Sequence, residues 1–223
     1  MASSMEENEE RRRTEILARL AAEYPGSPQQ LCALRFQTPF QLLVATVLSA
    51  QCTDERVNAT TPKFFEVYGT PEKMSEALQA DLESLIYSTG FYKNKAKSLL
   101  EMSKVLVAQY GGEVPDTMEQ LSALPGVGRK TANVVLSVAF SKPGLPVDTH
   151  VLRLAFRLSL TKEKDPVKVE RDLMSWVPDY EAGGLSLRLI LHGRKVCVAR
   201  NPKCEICVLE DLCPSSKLAS PSR

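Results

Sequence analysis

The sequence predicts an all-α fold, and three observations support this prediction. Apolar residues recur at intervals of three and four along most of the chain, as in Ile16, Leu17 and Leu20, which is typical of amphipathic helices. Proline, glycine or a capping residue stands at the ends of these segments. No segment shows the alternation of apolar and polar residues that a half-buried strand requires.

The composition is that of a globular protein and does not by itself reveal a partner. The chain has 223 residues, of which 43% are hydrophobic and 25% are charged, and its net charge is only +1. Residues 186–204 are an exception, because they carry five basic residues and no Asp or Glu. Such a segment either binds phosphate or forms an ordinary solvated helix face.

Neither end of the chain nor its interior predicts a membrane segment. No apolar run approaches the roughly 18 residues that suggest a membrane span. The polar N-terminus also lacks the apolar core of a signal peptide. We therefore expect a soluble intracellular protein without a membrane partner, in which the six cysteines need not form disulfides.

The first half of the chain begins with residues 1–10, a polar and acidic segment that we expect to be a disordered tail. A helix is predicted over residues 11–22, and the prolines and glycine of Tyr24–Pro28 stop it. Pro39 opens a strongly apolar core helix, and Asp54 is expected to cap the next one. Three further helices are predicted at about 72–79, 81–88 and 94–110.

The second half begins with Thr117, which fits a capping box at the start of a helical hairpin. Asp148 and Asp165 are each expected to start a later helix. Gly183 and Gly184 are expected to precede the last helix, which runs to about residue 195. The cysteines close the chain, and residues 214–223 are expected to form a second disordered tail.

The hairpin at residues 121–136 is the segment with the clearest chemistry. Pro125 fixes φ, and Gly126 and Gly128 allow a positive φ in the turn. The second helix then starts with unpaired N–H groups and the positive end of its dipole, which together favour an anion. Lys130 lies in this first turn. The hairpin either grips phosphate beside a reactive amine or is an ordinary corner with a surface lysine.

Chain geometry allows Asp148 to return to the level of Lys130. The helix after Lys130 carries the chain away by about ten residues, roughly 15 Å. The connection over residues 141–147 holds two prolines and can span up to roughly 23 Å. The simple alternative is that Asp148 is an N-cap, and both roles are compatible because capping fixes the carboxylate and keeps it ionised.

Four cysteines are concentrated near the C-terminus with six, two and five residues between them. They are Cys197, Cys204, Cys207 and Cys213. Four thiolates in one short loop can wrap a compact metal centre. Zinc sites more often use two separated pairs, whereas an iron–sulfur cube tolerates one irregular loop. The spacing therefore predicts a metal centre and favours iron–sulfur over zinc.

Together these motifs resemble the endonuclease III family of DNA glycosylases with AP lyase activity. Leu124–Ala132 is similar to the family's helix-hairpin-helix, Val147–Val151 to its aspartate motif, and Leu48–Gln51 to its lesion-side segment. The cysteine spacing is that of its [4Fe–4S] loop. The matches occur in order from about residue 36 to residue 213, which is most of the chain.

The resemblance implies a helix-hairpin-helix DNA glycosylase fold with two helical domains and a DNA-binding groove between them. Residues 32–142 would form a six-helix barrel that contains the hairpin. Residues 11–31 together with 143–213 would form the iron–sulfur domain. Residues 1–10 and 214–223 would remain outside both domains as tails.

The resemblance also implies a bifunctional base-excision-repair enzyme. It would remove oxidised pyrimidines such as thymine glycol and nick the abasic site by β-elimination through a Schiff base on Lys130. Asp148 would stabilise the cationic sugar and help to activate the amine. Because an ammonium cannot attack, we expect the helix N-terminus and partial burial to favour the neutral amine of Lys130.

The implied partner is double-stranded DNA that contains oxidised bases or abasic sites. We expect a monomer to bind it in the cytoplasm or nucleoid of a prokaryote. Gln51 would fill the hole left by the extruded nucleotide. Phe91 would wedge the opposite strand, where many relatives carry leucine; the simple alternative for Phe91 is an ordinary packed aromatic. Other DNA contacts are implied for Gly126, Gly128, Arg129, Thr131, His150, Arg200 and Lys203.

The resemblance implies two inorganic cofactors. A [4Fe–4S] cluster would be held by Cys197, Cys204, Cys207 and Cys213. A monovalent cation would lie against the backbone carbonyls of the hairpin, those of Ser122, Leu124 and Val127.

Two alternative functions remain open at this point. An adenine-mismatch glycosylase shares the hairpin, the aspartate and the cluster, but it lacks a lysine at position 130 and carries an extra C-terminal domain. A non-catalytic DNA-binding module would share the same features without any covalent chemistry. Trapping of a Schiff base with borohydride discriminates between an enzyme that uses Lys130 and both alternatives.

Overall fold

The structure is a computed structural model that describes residues 2–218. Within this range the chain is built from α-helices and short 3₁₀ turns, without a strand, so the predicted all-α class is confirmed. None of these helices combines the length and hydropathy needed to cross a membrane. The α-helices are α1 (Ala2–Glu23), α2 (Pro28–Leu31), α3 (Pro39–Leu48), α4 (Asp54–Tyr68), α5 (Pro71–Ser75), α6 (Gln79–Ile86), α7 (Tyr92–Tyr110), α8 (Met118–Ala123), α9 (Arg129–Ala139), α10 (Thr149–Arg157), α11 (Pro166–Met174) and α12 (Ala182–Lys195).

The chain divides into two compact units. The hairpin unit is Cys32–Gly144, and the flanking unit consists of the described residues before and after it. We predicted domain boundaries at residues 32 and 142 from the resemblance, within a few residues of this division. The short 3₁₀ turns are Tyr87–Thr89 in the hairpin unit and Asp179–Glu181, Cys204–Ile206 and Glu210–Leu212 in the flanking unit.

The hairpin unit is organised around α3. Thr38 caps this helix by accepting a hydrogen bond from the N–H of Gln41, and Pro39 occupies its first turn. Eight of its ten residues are buried, because its apolar residues surround the helix on nearly every side. Helix α9 packs against α3, and α5 and α6 pack against α7. The hairpin that carries Lys130 is therefore held by the core of its own unit.

The flanking unit has its own core. Helix α12 packs against α1 and α10. The apolar side of α1 contributes Ile16 and Leu20, which are fully buried. Val151 and Leu154 of α10 and Leu185 of α12 complete the centre of this core. The helical spacing of these residues is the reason why each helix presents one apolar face.

The predicted N-terminal tail is wrong for residues 2–10, because α1 extends through them, and Met1 lies outside the described part of the chain. Glu9 accepts hydrogen bonds from Arg12 and Arg13 at 2.7 and 3.1 Å, one helical turn along the chain. Arg12 also donates to the backbone carbonyls of Leu158 and Leu212, at 2.9 and 3.1 Å. The acidic segment thus gains helical partners and a tertiary anchor that its composition does not reveal.

The predicted C-terminal tail is also wrong for its first half. The N–H of Ser216 donates to Cys213, and the hydroxyl of Ser216 donates to Glu210 at 2.6 Å. The N–H of Leu218 donates back to Ser216 at 3.1 Å. Residues 214–218 are therefore tied to the cysteine loop, and the rest of the predicted tail, residues 219–223, lies outside the described part of the chain.

Two helix starts differ from prediction. Asp54 is the first residue of α4, and the preceding Thr53 is the cap that accepts from Arg56. Gly183 and Gly184 lie inside α12 rather than before it. A Cβ on Gly184 would lie 2.8 Å from the Arg188 guanidinium, which binds Glu181 at 2.7 Å. This glycine makes room for a buried arginine and does not mark a helix end.

Candidate functional site

The turn between α8 and α9 has the geometry of a tight hairpin. The N–H of Val127 donates to the carbonyl of Leu124 at 3.1 Å across the turn. Gly126 has φ +77°, and a Cβ there would lie 2.6 Å from the Cβ of Ser98 on α7. Both the backbone conformation and the close approach to α7 therefore require glycine.

Gly128 differs from the prediction made for it. Its φ is −90° with an extended ψ of 170°, so its backbone does not need glycine. It is the N-cap of α9, it supplies no capping side chain, and a Cβ there would meet nothing within 4 Å. By contrast, Thr117 caps α8 and Asp148 caps α10. Gly128 thus leaves open space at the start of α9, where the helix dipole favours an anion.

Lys130 is the second residue of α9 and is exposed. The partial burial predicted for it is therefore wrong, and the amine lies in the first turn of α9, at the positive end of the helix dipole. Arg129 beside it is also exposed, whereas Thr131 is half-buried. The structure thus places the nucleophile predicted from the sequence at an accessible helix start.

Asp148 is the N-cap of α10, as predicted. One carboxylate oxygen, Oδ1, accepts hydrogen bonds from the N–H groups of His150 at 2.8 Å and Val151 at 2.9 Å. The residue is half-buried, and the two backbone donors hold its carboxylate in place at the start of α10. Lys130 and Asp148 belong to different units, so their predicted proximity stays a prediction.

His150 is held by neighbours within its own unit. Its Nδ1 lies 3.0 Å from Nη2 of Arg153. Because a guanidinium can only donate, Nδ1 accepts this hydrogen bond and the proton of the neutral ring is on Nε2. Arg153 also donates to the carbonyls of Gly193 and Cys197. Sequence analysis missed Arg153, which links α10 to the start of the cysteine loop.

Gln51 and Phe91 share an uncommon backbone conformation. Their φ angles are +54° and +49°, in the left-handed region that non-glycine residues seldom adopt. Both side chains are exposed, and 64% of the surface of Phe91 is accessible. Phe91 is therefore not an ordinary packed aromatic. Each residue is exposed on a short turn of the hairpin unit, next to the start or end of a helix.

Sequence analysis also missed Lys95, which is buried close to both of these turns. Its ammonium donates to the carbonyl of Leu48 and to the carbonyl of Thr89, each at 2.8 Å. A pattern could have found it, because Lys95 occupies the same face of α7 as the buried Leu99, Met102 and Leu106. A lysine in the apolar stripe of a helix indicates a buried partner.

The four C-terminal cysteines line one cavity, and none of the four forms a disulfide. Among the residues that the structure describes, no three His, Cys, Asp or Glu side chains are placed to hold a single metal ion. Four cysteines that line one space are the ligand set that an iron–sulfur cluster requires, whereas zinc sites more often use two separated pairs. The residues present therefore fit the iron–sulfur cluster that the spacing predicts.

The sulfur atoms have polar partners. Arg157 donates to Sγ of Cys197 at 3.2 Å, and Nε2 of His192 lies 3.2 Å from Sγ of Cys207. Burial raises the pKa of Cys207 to about 11 and also raises the pKa of Cys213. Donors that favour thiolate, together with a metal that replaces the protons, would offset this cost of burial.

His192 is itself fixed from the other side. Its Nδ1 lies 3.0 Å from the hydroxyl of Tyr24, and both residues are buried. Burial lowers the pKa of His192, which favours the neutral ring. A neutral ring that accepts from Tyr24 at Nδ1 donates from Nε2 to Cys207. Neither Tyr24 nor His192 was identified from the sequence.

Arg200 and Lys203 lie in the loop between the first two cysteines, and both are exposed. The N–H of Lys203 donates to the carbonyl of Val196 at 3.1 Å, and Asn201 has a positive φ of 53°. The loop thus has a defined backbone that displays two cations.

Comparison with known proteins identifies the family. The family model of HhH-GPD superfamily base excision DNA repair proteins matches residues 44–179, and that of the iron–sulfur binding domain of endonuclease III matches residues 197–213. Endonuclease III of Synechocystis sp. is 50% identical over 211 residues, which are 94% of this chain and 95% of that protein. The chain belongs to the endonuclease III family.

Solved structures of the endonuclease III family agree with this assignment. A non-covalent complex of endonuclease III with DNA matches with a TM-score of 0.85 and 40% identity, over 92% of this chain and 95% of that chain. A trapped covalent intermediate of endonuclease III with DNA matches with the same TM-score and 41% identity, over 92% and 96% of the two chains. The protein is thus a DNA glycosylase with AP lyase activity and carries an iron–sulfur binding segment.

Proposed function

We propose that this member of the endonuclease III family removes oxidised pyrimidines such as thymine glycol from double-stranded DNA. It then cleaves the abasic site by β-elimination through a Schiff base on Lys130. The observation that carries the proposal is the position of Lys130, an exposed amine in the first turn of an uncapped helix behind a glycine turn. The covalent DNA intermediate trapped for a relative of the same fold supports it.

The first step is extrusion of the damaged nucleotide, because an amine cannot reach the sugar of a stacked base. Gln51 fills the space that the nucleotide leaves, and Phe91 wedges the opposite strand. The exposed side chains and left-handed backbones of both residues support these roles. A phenylalanine also offers a face for base stacking.

The chemical step uses Lys130 and Asp148. The neutral amine of Lys130 attacks C1′, and the bond to the base breaks with its electron pair leaving on the base, which takes up a proton. Loss of the amine proton and opening of the sugar give the Schiff base, which acidifies C2′. Removal of a C2′ proton expels the 3′ phosphate by β-elimination. Ionised Asp148 stabilises the cationic sugar and accepts a proton directly or through water.

The hairpin holds the DNA backbone without reading its sequence. The open start of α9 at Gly128 binds a phosphate, with Gly126, Arg129 and Thr131 beside it. The carbonyls of Ser122, Leu124 and Val127 bind a monovalent cation at the same turn. His150 contacts the strand from α10. The protein acts as a monomer.

Cys197, Cys204, Cys207 and Cys213 hold a [4Fe–4S] cluster. When bound, the cluster supplies covalent crosslinks that fix the fold of residues 197–213. Arg200 and Lys203 then contact DNA phosphates from a rigid loop, and Arg157 supports that loop through the carbonyls of Val198 and Ala199, at 2.8 and 2.9 Å.

Borohydride trapping tests the proposal. Wild-type protein should form a covalent adduct with a duplex containing thymine glycol or an abasic site, and Lys130→Ala should not. Lys104→Ala is the matched control, because Lys104 is an exposed lysine of the same unit. Binding without adduct or nick by the wild type would instead support a non-catalytic binding module, and activity confined to adenine mismatches would support that glycosylase.

A further inference from the structure

The turns that carry Gln51 and Phe91 both begin at carbonyls bound by one buried ammonium. Leu48 is the last residue of α3, and Gln51 follows three residues later. Thr89 is the last residue of the 3₁₀ turn Tyr87–Thr89, and Phe91 follows two residues later. Lys95 donates to both carbonyls at 2.8 Å. Its side chain therefore connects two loops that are about forty residues apart along the chain.

We infer that Lys95 is a positioning residue that holds the Gln51 turn and the Phe91 turn in one fixed arrangement, so that both side chains enter the duplex together. This inference rests on the proposed insertion roles of Gln51 and Phe91. It adds a residue that touches neither DNA nor the reacting atoms and acts only through these two turns.

The electrostatics of the contact make it strong. The carbonyl of Leu48 is at the negative end of the α3 dipole, which an ammonium complements. Lys95 is only 6% exposed, so little water can reach either carbonyl to replace its contact. Burial lowers the pKa of Lys95, while the nearby Cys52 raises it. Hydrogen bonds from a charged donor are about twice as strong as those between neutral groups.

The backbone conformations of Gln51 and Phe91 explain why the two turns need the contact with Lys95. Positive φ values of 54° and 49° at non-glycine residues persist only where the surroundings enforce them. Turns that were loose before binding would have to be ordered on the DNA, which weakens binding. The Lys95 contacts supply this order in the free protein, and the first helical bond of α7, from the N–H of Lys95 to the carbonyl of Phe91 at 3.1 Å, reinforces it.

The test compares Lys95→Met with Lys97→Met. Lys97 is on the same helix, is exposed and lies 3.9 Å from Glu101, so its replacement removes the same charge without touching the turns. In the free protein, Lys95→Met should speed amide hydrogen exchange in residues 49–52 and 89–92 by about tenfold or more, the scale expected for leaving two buried carbonyls unpaired. Lys97→Met should exchange like the wild type, and equal exchange in both variants would overturn the inference.

The functional readout is base extrusion. The duplex carries 2-aminopurine opposite the lesion, so that its fluorescence reports insertion. At an equal bound fraction, Lys95→Met should show about tenfold less fluorescence change, because ordering both turns on the DNA makes insertion less favourable. Phe91→Ala should reduce the fluorescence change much less in the Lys95→Met background than in the wild type, because Lys95 acts through the Phe91 turn. Full additivity of the two substitutions would contradict the inference.

The exchange measurement separates this inference from the proposed function. A wild type that does not nick damaged DNA refutes the proposed function, while exchange in the two turns still decides whether Lys95 holds them. Should Lys95→Met not fold, Lys95→Arg keeps the donors but displaces them. Faster exchange confined to the two turns then supports the inference, and uniformly faster exchange along α7 overturns it.

Discussion

The two glycines of the hairpin provide a sharp test of the site, because substitution by alanine should mainly reduce stability at one position and mainly reduce DNA affinity at the other. At Gly126, alanine must adopt φ +77°, which costs roughly 1–2 kcal/mol for an L-residue. Its Cβ must also displace Ser98 from a 2.6 Å contact, and overpacking of this kind typically costs about 1–3 kcal/mol. Gly126→Ala should therefore lower the free energy of unfolding by about 2–5 kcal/mol.

At Gly128 the same substitution meets neither problem. The φ of −90° suits alanine, and the added Cβ has nothing within 4 Å. Gly128→Ala should therefore lower the free energy of unfolding by only about 1 kcal/mol, because alanine is a poorer N-cap than glycine. The added methyl group nevertheless lies at the start of α9 where we place a phosphate, so DNA affinity should fall.

Urea unfolding and fluorescence anisotropy with labelled duplex separate the two effects. Equal m values for the three proteins would show that the stability difference belongs to the folded state. The reasoning is refuted if Gly126→Ala unfolds at the same urea concentration as Gly128→Ala. The phosphate role of Gly128 is refuted if its alanine variant binds DNA as tightly as the wild type.

Three further predictions concern the other parts of the molecule. Asp148→Asn should keep α10 intact, because Asn caps helices as well as Asp, yet lose base removal from thymine-glycol duplex in a gel assay; unchanged activity would exclude a role for the carboxylate. Arg200→Ala should weaken binding to all duplex sequences alike and reduce the salt slope of log K by about 1, whereas a loss for one lesion only would contradict a backbone contact. Arg12→Ala should lower the free energy of unfolding in urea by about 1–3 kcal/mol, because two carbonyls lose a charged donor. Arg11→Ala, on the exposed side of α1, should change it by no more than about 0.5 kcal/mol, and equal effects of the two substitutions would mean that Arg12 is not an anchor.

The features that the sequence predicted well are those set by local chemistry. Pro39, Thr117 and Asp148 begin helices where their capping and φ preferences favour a start. The turn at Gly126 was predictable because only glycine tolerates its conformation. The cysteine loop was predictable because the spacing of four thiols limits what they can bind.

The features that the sequence missed depend on contacts between distant residues. Residues 1–10 were expected to be disordered because they are polar and acidic, but the anchor of α1 is Arg12, which binds carbonyls 146 and 200 residues away. Gly184 resembled a helix boundary, although it accommodates the Arg188 guanidinium. Lys95 was overlooked because a lysine is normally exposed, and only the tertiary structure supplies its two carbonyls.

The central claim is that the amine of Lys130 bonds to the sugar of a damaged nucleotide. The most direct measurement is mass spectrometry of the peptides obtained after borohydride reduction of the wild-type protein with thymine-glycol duplex. The account predicts a deoxyribose-derived adduct on Lys130 in the peptide that starts α9. An adduct on any other residue, or nicked DNA without an adduct, would contradict it.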